Sequence, residues 1–155
     1  MELWTLNYMA NDYQKEHKIW WPVSPELMAS YNDGSHTEKY IDGKIAWFKN
    51  SDLHRDGDLP AVIHADYSLA WFKNGELHRD KDKPAYIGIS GHLVWLKNDK
   101  QHRTTGPAVI HPNNKKEYWI NGVDVTKEVN AWLKSRKYKY PYTPEQQVEF
   151  VLTFG

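Results

Sequence analysis

Four tryptophans recur at a constant interval of 24 residues, and this period constrains the fold more than any other feature of the chain. They are Trp47, Trp71, Trp95 and Trp119. Each of the first three tryptophans is followed by an asparagine three positions later, a histidine seven positions later and an arginine eight positions later. A Pro-Ala pair then follows in each of these three units, shifted by one position in the third. So many matched columns indicate a tandem array of similar structural units. The units that begin at Trp47, Trp71 and Trp95 are called the first, second and third units below.

Each unit has the pattern of a β-hairpin. In the second unit, residues 69–73 form a short run rich in aromatic residues, which is typical of a strand. Asn74-Gly75 follows, and this pair favours a type I′ turn because both central residues of that turn need positive φ. Pro84 then opens a returning strand over 85–89, where its missing N–H costs least. Two main strands for every 24 residues predict a continuous antiparallel meander.

The C-terminal segment predicts a helical cap for the array, whose end unit would otherwise expose an apolar face. Val125, Val129, Trp132 and Leu133 have helical spacing, and Asp124 or Thr126 can cap that helix. The run Thr143-Pro144-Glu145-Gln146 has the pattern of a capping box with proline at the first helical position. It predicts a second helix over residues 144–153, and a strand over 148–154 is the alternative.

The predicted fold is therefore mainly β, an antiparallel meander or solenoid of 24-residue β-hairpin repeats with a C-terminal helical cap, α+β overall. We divide the chain into a non-repeat N-terminal segment (1–39), the tandem β-repeat array (40–123) and the helical C-terminal cap (124–155), within one compact unit. The 155 residues suffice for one core. In the first segment, Trp4, Leu6 and Tyr8 alternate as in an edge strand, and residues 24–28 predict a short helix.

Composition excludes several classes of function. There is no cysteine, so disulfides, thiolate zinc sites and cysteine nucleophiles are excluded. Lys plus Arg and Asp plus Glu number 20 each, which argues against general nucleic-acid binding by phosphate neutralisation. No apolar run reaches the length of a membrane span, and the N-terminus does not resemble a signal peptide. We expect a soluble intracellular protein.

The repeated histidines do not predict a metal site. Units advance by two strands, so His54, His78 and His102 are expected roughly 10 Å apart at a strand spacing of about 4.8 Å. Zinc needs each nitrogen within about 2.1 Å of one ion, so a ligand set would have to mix columns, for example with His64. Catalysis has no better support. The nearest approach to a nucleophile elbow, residues 88–92, has the wrong spacing, and no phosphate or dinucleotide motif is present. No catalytic residue, metal or cofactor is predicted.

The His-Arg positions are instead candidates for binding. A row of arginines suits phosphates or carboxylates. Alternatively each arginine pairs with an aspartate of its own or the next unit. Asp56 and Asp80 supply that partner, whereas Thr104 does not, which makes Arg103 the position of interest. The tryptophan column is interpreted as a core ladder, and Trp20-Trp21 outside the array as a candidate partner contact. The candidate binding residues are Trp20, Trp21, His54, Arg55, His78, Arg79, His102 and Arg103.

The pattern Trp-x-x-Asn-Gly-x-x-His-Arg-x-x-x-x-Pro-Ala, seen best at residues 71–85, resembles a known class. It is similar to the tandem HRxxGPA repeat proteins of phages and giant viruses, which are related to MORN-like β-hairpin repeats. Gly106-Pro107-Ala108 matches the motif most closely, whereas Leu59 and Lys83 replace its glycine in the first two units. The resemblance covers roughly residues 40–155. It implies a β-hairpin repeat fold and a viral origin.

These observations lead to one expectation and two alternatives. We expect a non-enzymatic viral binding protein, phage-like and located in the host cytoplasm, that engages and inhibits a host protein such as a defence factor. An extended repeat surface suits a protein partner. The first alternative is a binder of a nucleotide or other small anionic ligand through the His-Arg positions. The second is an uncharacterised enzyme.

Overall fold

The computed structural model describes residues 37–41 and 44–155, which form antiparallel β-structure followed by two helices. The strands are β1 (Thr37–Ile41), β2 (Lys44–Lys49), β3 (Asp52–Leu53), β4 (Val62–Ile63), β5 (Leu69–Ala70), β6 (Phe72–Lys73), β7 (Glu76–Leu77), β8 (Tyr86–Ile87), β9 (Leu93–Val94), β10 (Leu96–Lys97), β11 (Lys100–Gln101), β12 (Val109–Ile110), β13 (Lys116–Glu117), β14 (Trp119–Ile120) and β15 (Val123–Asp124). The helices are α1 (Thr126–Arg136) and α2 (Pro144–Phe154).

The main sheet has the order β1-β2-β4-β5-β8-β9-β12-β13, with β3 also paired to β2, and every neighbouring pair is antiparallel. This confirms the predicted antiparallel meander. Each unit supplies adjacent strands in chain order. The register aligns Ile63 with Leu69 and Leu69 with Ile87, so apolar side chains continue across neighbouring strands.

The uninterrupted strand expected over residues 69–73 is wrong, because the chain changes its pairing partner at Trp71. β5 pairs with β4 and β8 in the main sheet, whereas β6 pairs with β7 in a separate hairpin. The Trp71 N–H donates to the carbonyl of Ala85 at 2.8 Å, and its own carbonyl accepts from His78 N–H at 3.1 Å. Separate hairpins also form from β10–β11 and β14–β15.

The turns of these hairpins have the predicted type I′ conformation. Asn74 has φ 52° and Gly75 has φ 85°, and the equivalent pair Asn98-Asp99 has φ 51° and 63°. Successive hairpins also bond to one another through their backbones. Gly75 N–H donates to the Leu53 carbonyl at 2.9 Å, one unit earlier, and Asp99 N–H donates to Leu77 at 3.0 Å. The turn therefore joins neighbouring units as well as reversing the chain.

The two faces of the sheet bury different apolar clusters. One contains Leu69, Trp71, Ile87, Leu93, Trp95, Ala108 and Ile110, with Ile63 and Trp119 packed against it. The other contains Ala46, Val62 and Ala70, flanked by Phe48, Leu53, Phe72, Leu77 and Tyr86. Trp47, Trp71 and Trp95 are each no more than 6% exposed. Such burial agrees with the interpretation of the tryptophan column as core.

The C-terminal helices pack on the last hairpin around Phe150, which is fully buried together with Val129. Helix α2 begins with the predicted capping box of Thr143 and Gln146, so the alternative of a strand over 148–154 is wrong. In α1 the cap position is Val125, which makes no side-chain capping bond. Neither described helix is long and apolar enough to cross a membrane.

Candidate functional site

Each unit stacks its arginine on its own tryptophan. The guanidinium carbon lies 3.8 Å from the ring centroid in Arg55–Trp47 and 3.7 Å in Arg79–Trp71. The third unit repeats the contact at 4.0 Å between Arg103 and its tryptophan. Eight residues separate the two partners, and the hairpin between them returns the arginine to its tryptophan. This geometry is that of a cation–π contact.

Arg79 and Arg103 also bind a carboxylate of the preceding unit, which differs from the sequence-based expectation. Arg79 donates from Nε to Asp58 at 2.7 Å, and Arg103 donates from Nε and Nη2 to both oxygens of Asp82 at 2.8 Å each. The expectation placed the aspartate partner in the same or the next unit, supplied by Asp56 or Asp80, and for Arg79 this location is wrong. The sequence does contain a pattern that indicates these partners, since Asp58 and Asp82 are also 24 residues apart.

Arg103 was expected to be the least neutralised arginine, and this expectation is wrong. Only 6% of its side chain is exposed. Besides Asp82 it donates to Thr105 Oγ1 at 3.1 Å, to the Pro107 carbonyl at 3.2 Å and to the Tyr140 hydroxyl at 3.4 Å. Its donors are therefore used inside the protein, so Arg103 is a structural residue rather than an open anion site.

The repeated histidines join each unit to the next. Asn74 N–H donates to Nδ1 of His54 at 3.0 Å, and Asn121 N–H donates to Nδ1 of His102 at 3.1 Å. In the middle unit, Nδ1 of His78 contacts the side-chain oxygen of Asn98 at 2.6 Å. A ring nitrogen that accepts a backbone N–H cannot carry a proton itself, so Nε2 of His54 and His102 carries it. The hydrogen bonds agree with the interpretation of these histidines as loop clamps.

Asp56 and Asp80 bind lysine and histidine side chains instead of arginine. Asp56 contacts Lys49 Nζ at 2.6 Å and His54 Nε2 at 2.9 Å. Asp80 contacts Lys73 Nζ at 3.2 Å, and its second contact, with the unit's histidine, is 2.9 Å. The hydrogen bond from Lys49, followed by that from His54, lowers the pKa of Asp56 to about 2. The pKa of Asp80 is lowered by the same two kinds of neighbour, histidine first. Each of these two units therefore holds an ionised carboxylate between a lysine and a histidine.

An open cleft of about 300 Å³ lies between the His-Arg loops of the first two units. Its charged lining includes the basic groups Arg55, Lys73, Arg79 and Lys81 and the acidic groups Asp56, Asp58 and Asp80, with His54 and His78. Thus the structure brings together four of the sequence-predicted site residues. Within this lining Asp58 binds Arg79, and it also binds Lys83.

A row of rings on the sheet was not anticipated. His92 stacks on His111 with centroids 5.1 Å apart and 17° between the planes, and Tyr86 meets His92 edge-on at 6.1 Å. Burial, followed by the nearby His111, lowers the pKa of His92. Within the described residues, His92 Nε2 is buried without a hydrogen-bond partner. In the sequence, the recurrence of Val-Ile-His at residues 62–64 and 109–111 was the pattern that could have indicated repeated histidines on the sheet.

An ion-paired carboxylate lies next to this row, beside His111. Glu117 contacts His111 Nε2 at 2.9 Å and Lys115 Nζ at 2.8 Å. Lys115 is the main cause that lowers the pKa of Glu117 to about 2. Across the part of the chain that the structure describes, no group of three or more His, Asp or Glu side chains is placed to hold a metal ion.

Equivalent turns at the other end of the strands expose apolar side chains. Both turns close with the same backbone hydrogen bond, from Tyr67 N–H to the His64 carbonyl in one and from Gly91 N–H to the Gly88 carbonyl in the next, each 2.9 Å. Tyr67 is 61% exposed with φ 65°, at a position where the next unit has Gly91. Ile89, in that next turn, is 42% exposed. An aromatic residue is rare at such a φ, which sets Tyr67 apart from its equivalents.

The candidate residues Trp20 and Trp21 lie outside the described residues. Comparison of the chain with protein-family models, with curated proteins and with solved structures gave no match.

Proposed function

We propose that this chain is a non-enzymatic binding scaffold, a solenoid of 24-residue β-hairpin repeats that engages a host protein. In this proposal it is related to the HRxxGPA and MORN-like repeat proteins of phages and giant viruses, and it inhibits a host factor in the host cytoplasm. The motif at residues 71–85 supports the relationship, and the extended sheet suits a protein partner.

The use of the repeated polar groups inside the fold supports a scaffold. Arg79 and Arg103 bind aspartates of the preceding unit, and His54 and His102 accept backbone N–H groups of the next. A residue repeated in every unit and bonded between units stabilises the array. Specific recognition is then expected from side chains that depart from the period.

The exposure of Tyr67 and Ile89 on successive turns carries the proposal. Large apolar side chains at 61% and 42% exposure gain free energy from burial against another protein surface. Tyr67 also has a left-handed backbone, which costs on the order of 1 kcal/mol for such a residue. Glycine or asparagine at this position would avoid that cost. We therefore infer that the exposed Tyr67 ring serves a function.

A small anionic ligand at the cleft between the first two units is the second candidate. The observation in its favour is the cleft itself, which contains Arg55, Arg79 and two lysines. However, Asp58 already binds the guanidinium of Arg79, so an anion would have to displace an internal carboxylate. We therefore place this function second.

The experiment is affinity capture from host lysate with the wild-type chain and with the double variant Tyr67→Gly, Ile89→Ser. The captured protein is then purified and titrated by calorimetry. Removing two central apolar contacts should weaken binding by about tenfold or more. Leu152→Ser is the matched control, since Leu152 is 83% exposed on α2. Recovery of no stoichiometric partner, or equal binding by the double variant, would count against the proposal. Thermal-shift screening against nucleotides tests the second candidate.

A further inference from the structure

The third unit lacks the aspartate that the first two units hold between lysine and histidine. Lys97 and His102 occupy the positions of Lys73 and His78, but Thr104 stands where the second unit has Asp80. Within residues 44–155, the structure gives no hydrogen bond or ion pair to Lys97 Nζ or to His102 Nε2. The third unit therefore lacks the repeated aspartate but keeps the lysine and the histidine that would bind it.

The histidine of the third unit keeps its orientation without the anion. Asn121 N–H donates to His102 Nδ1 at 3.1 Å, as Asn74 N–H does to His54, so the ring is held in the same way. This bond leaves the proton of neutral His102 on Nε2, where it can donate. Burial, and after it the positive charge of Lys97, lowers the pKa of His102.

The site is open to a ligand from solution. Lys97 is exposed, and His102 and Thr104 are partly exposed. Lys100, in the same hairpin, is exposed as well and adds a second positive charge. Thr104 carries a hydroxyl that can donate a further hydrogen bond. The neighbouring Arg103 does not compete for the ligand, because Asp82 holds its guanidinium.

We propose that Lys97, His102 and Thr104 form a carboxylate-binding site, and that its occupant is an Asp or Glu side chain of the partner protein. The identity of the occupant rests on the proposed function, whereas the site itself rests on the equivalence of the three units. In the first unit the same pair of donors holds a carboxylate at 2.6 and 2.9 Å, and in the second at 3.2 and 2.9 Å. The chain thus contains two filled copies of the site it offers to a partner.

The geometry favours a carboxylate over a phosphate. In each filled copy one oxygen contacts the histidine and the other contacts the lysine, which uses both oxygens of a carboxylate. A phosphate has three or four acceptor oxygens and is bound best by an arginine fork or by several backbone N–H groups. The third unit offers no arginine fork, because its one arginine in this loop is engaged with Asp82.

The site can be tested on the isolated chain by NMR of the histidine rings, with sodium acetate in one arm and inorganic phosphate in the other, at constant ionic strength. Acetate should shift the His102 ring signals saturably. His54 and His78 are internal controls, since their sites are filled, and should not shift. Thr104→Asp should abolish the response, and Lys97→Gln should weaken it. A response no larger than that of His54 and His78, or saturation by phosphate at lower concentration than by acetate, would overturn the carboxylate site.

A second measurement tests the occupant with the purified partner protein. Thr104→Asp fills the site and repels an incoming carboxylate, so it should weaken binding about tenfold, and Lys97→Gln about fivefold. Asn130→Asp adds the same charge at an exposed position of α1, away from both proposed contacts, and should leave binding within about twofold. Equal binding by Thr104→Asp and wild type would overturn the inference and leave the proposed function standing. Saturable acetate binding without any recoverable partner would instead support the site and overturn its protein occupant.

Discussion

Asp82 binds both the Nε and Nη2 groups of Arg103, which follows it by 21 positions in the chain, at 2.8 Å each. The pair connects the second unit to the third, and Trp95 Nε1 donates to the carbonyl of the same Asp82 at 2.9 Å. One residue therefore positions both members of the Arg103–Trp95 stack. Asp58 has the same relation to Arg79 and Trp71 one unit earlier.

Replacing Arg103 by lysine should lower the free energy of unfolding by about 2 kcal/mol. An ammonium group cannot provide the two parallel donors to Asp82, nor stack flat on Trp95, and Arg103 is buried. Urea denaturation of the two proteins measures the difference. The matched control is Arg136→Lys, because Arg136 pairs with Glu149 but keeps 55% of its side chain exposed. The control should lower the free energy of unfolding by less than about 0.5 kcal/mol. An equal loss in both variants would contradict the structural role of Arg103.

Gly106→Ala should destabilise the protein by about 1 to 3 kcal/mol through overpacking. A Cβ at Gly106 would lie 2.4 Å from a ring carbon of Tyr140, so the ring must move. The test is a double-mutant cycle with Tyr140→Ala, measured by thermal or urea denaturation. The alanine at 106 should cost much less once Tyr140 is truncated. Additive losses would show that this contact does not determine the glycine, whereas strong coupling would identify Gly106 as the docking point of the C-terminal segment.

Phe150→Ala should cost about 3 to 5 kcal/mol, since the ring is fully buried among Tyr118, Val129 and Tyr142. Leu152→Ala on the same helix is the control, because Leu152 is 83% exposed. We expect a change of less than about 0.5 kcal/mol there. Calorimetry should show one transition that moves to lower temperature in Phe150→Ala. A transition for the helices alone, with the sheet unaffected, would show that they do not stabilise the array.

Acid should destabilise the protein through carboxylates whose pKa is lowered on folding. The pKa of Asp56 is lowered from 3.8 to about 2, and the pKa of Glu117 is lowered from 4.5 to about 2. A lowered folded-state pKa contributes stability that is present above the unfolded pKa and is lost as the pH falls through the folded one. Stability should therefore decline between about pH 4.5 and 2.

The size of this acid effect is limited by solvent, since the side chain of Asp56 is 49% exposed. We expect the ion pairs of Asp56 and of Glu117 each to contribute about 0.5 kcal/mol to the free energy of unfolding. Urea denaturation at a series of pH values measures the decline, and Asp56→Asn should reduce its slope. A slope unchanged by Asp56→Asn would mean that this carboxylate does not contribute to the acid sensitivity.

Sequence and structure differ most instructively at Thr104. The sequence shows that an aspartate is missing from the third unit, but it does not show which side chain loses its partner. The adjacent Arg103 was the expected residue, whereas the structure pairs that arginine with Asp82 and leaves Lys97 and His102 with the gap. Adjacency in the chain was misleading because neighbouring residues of an extended loop point in different directions.

The sequence alone was sufficient for features that depend on local interactions. The period of 24, the type I′ turn at Asn74-Gly75 and the capping box of Thr143 and Gln146 each depend on a few consecutive residues, or on their recurrence. Only the tertiary structure decided which units exchange side chains, where each strand changes partner, and that His92 stacks on His111. These contacts join residues that are far apart in the chain, and their geometry depends on how one hairpin packs against the next.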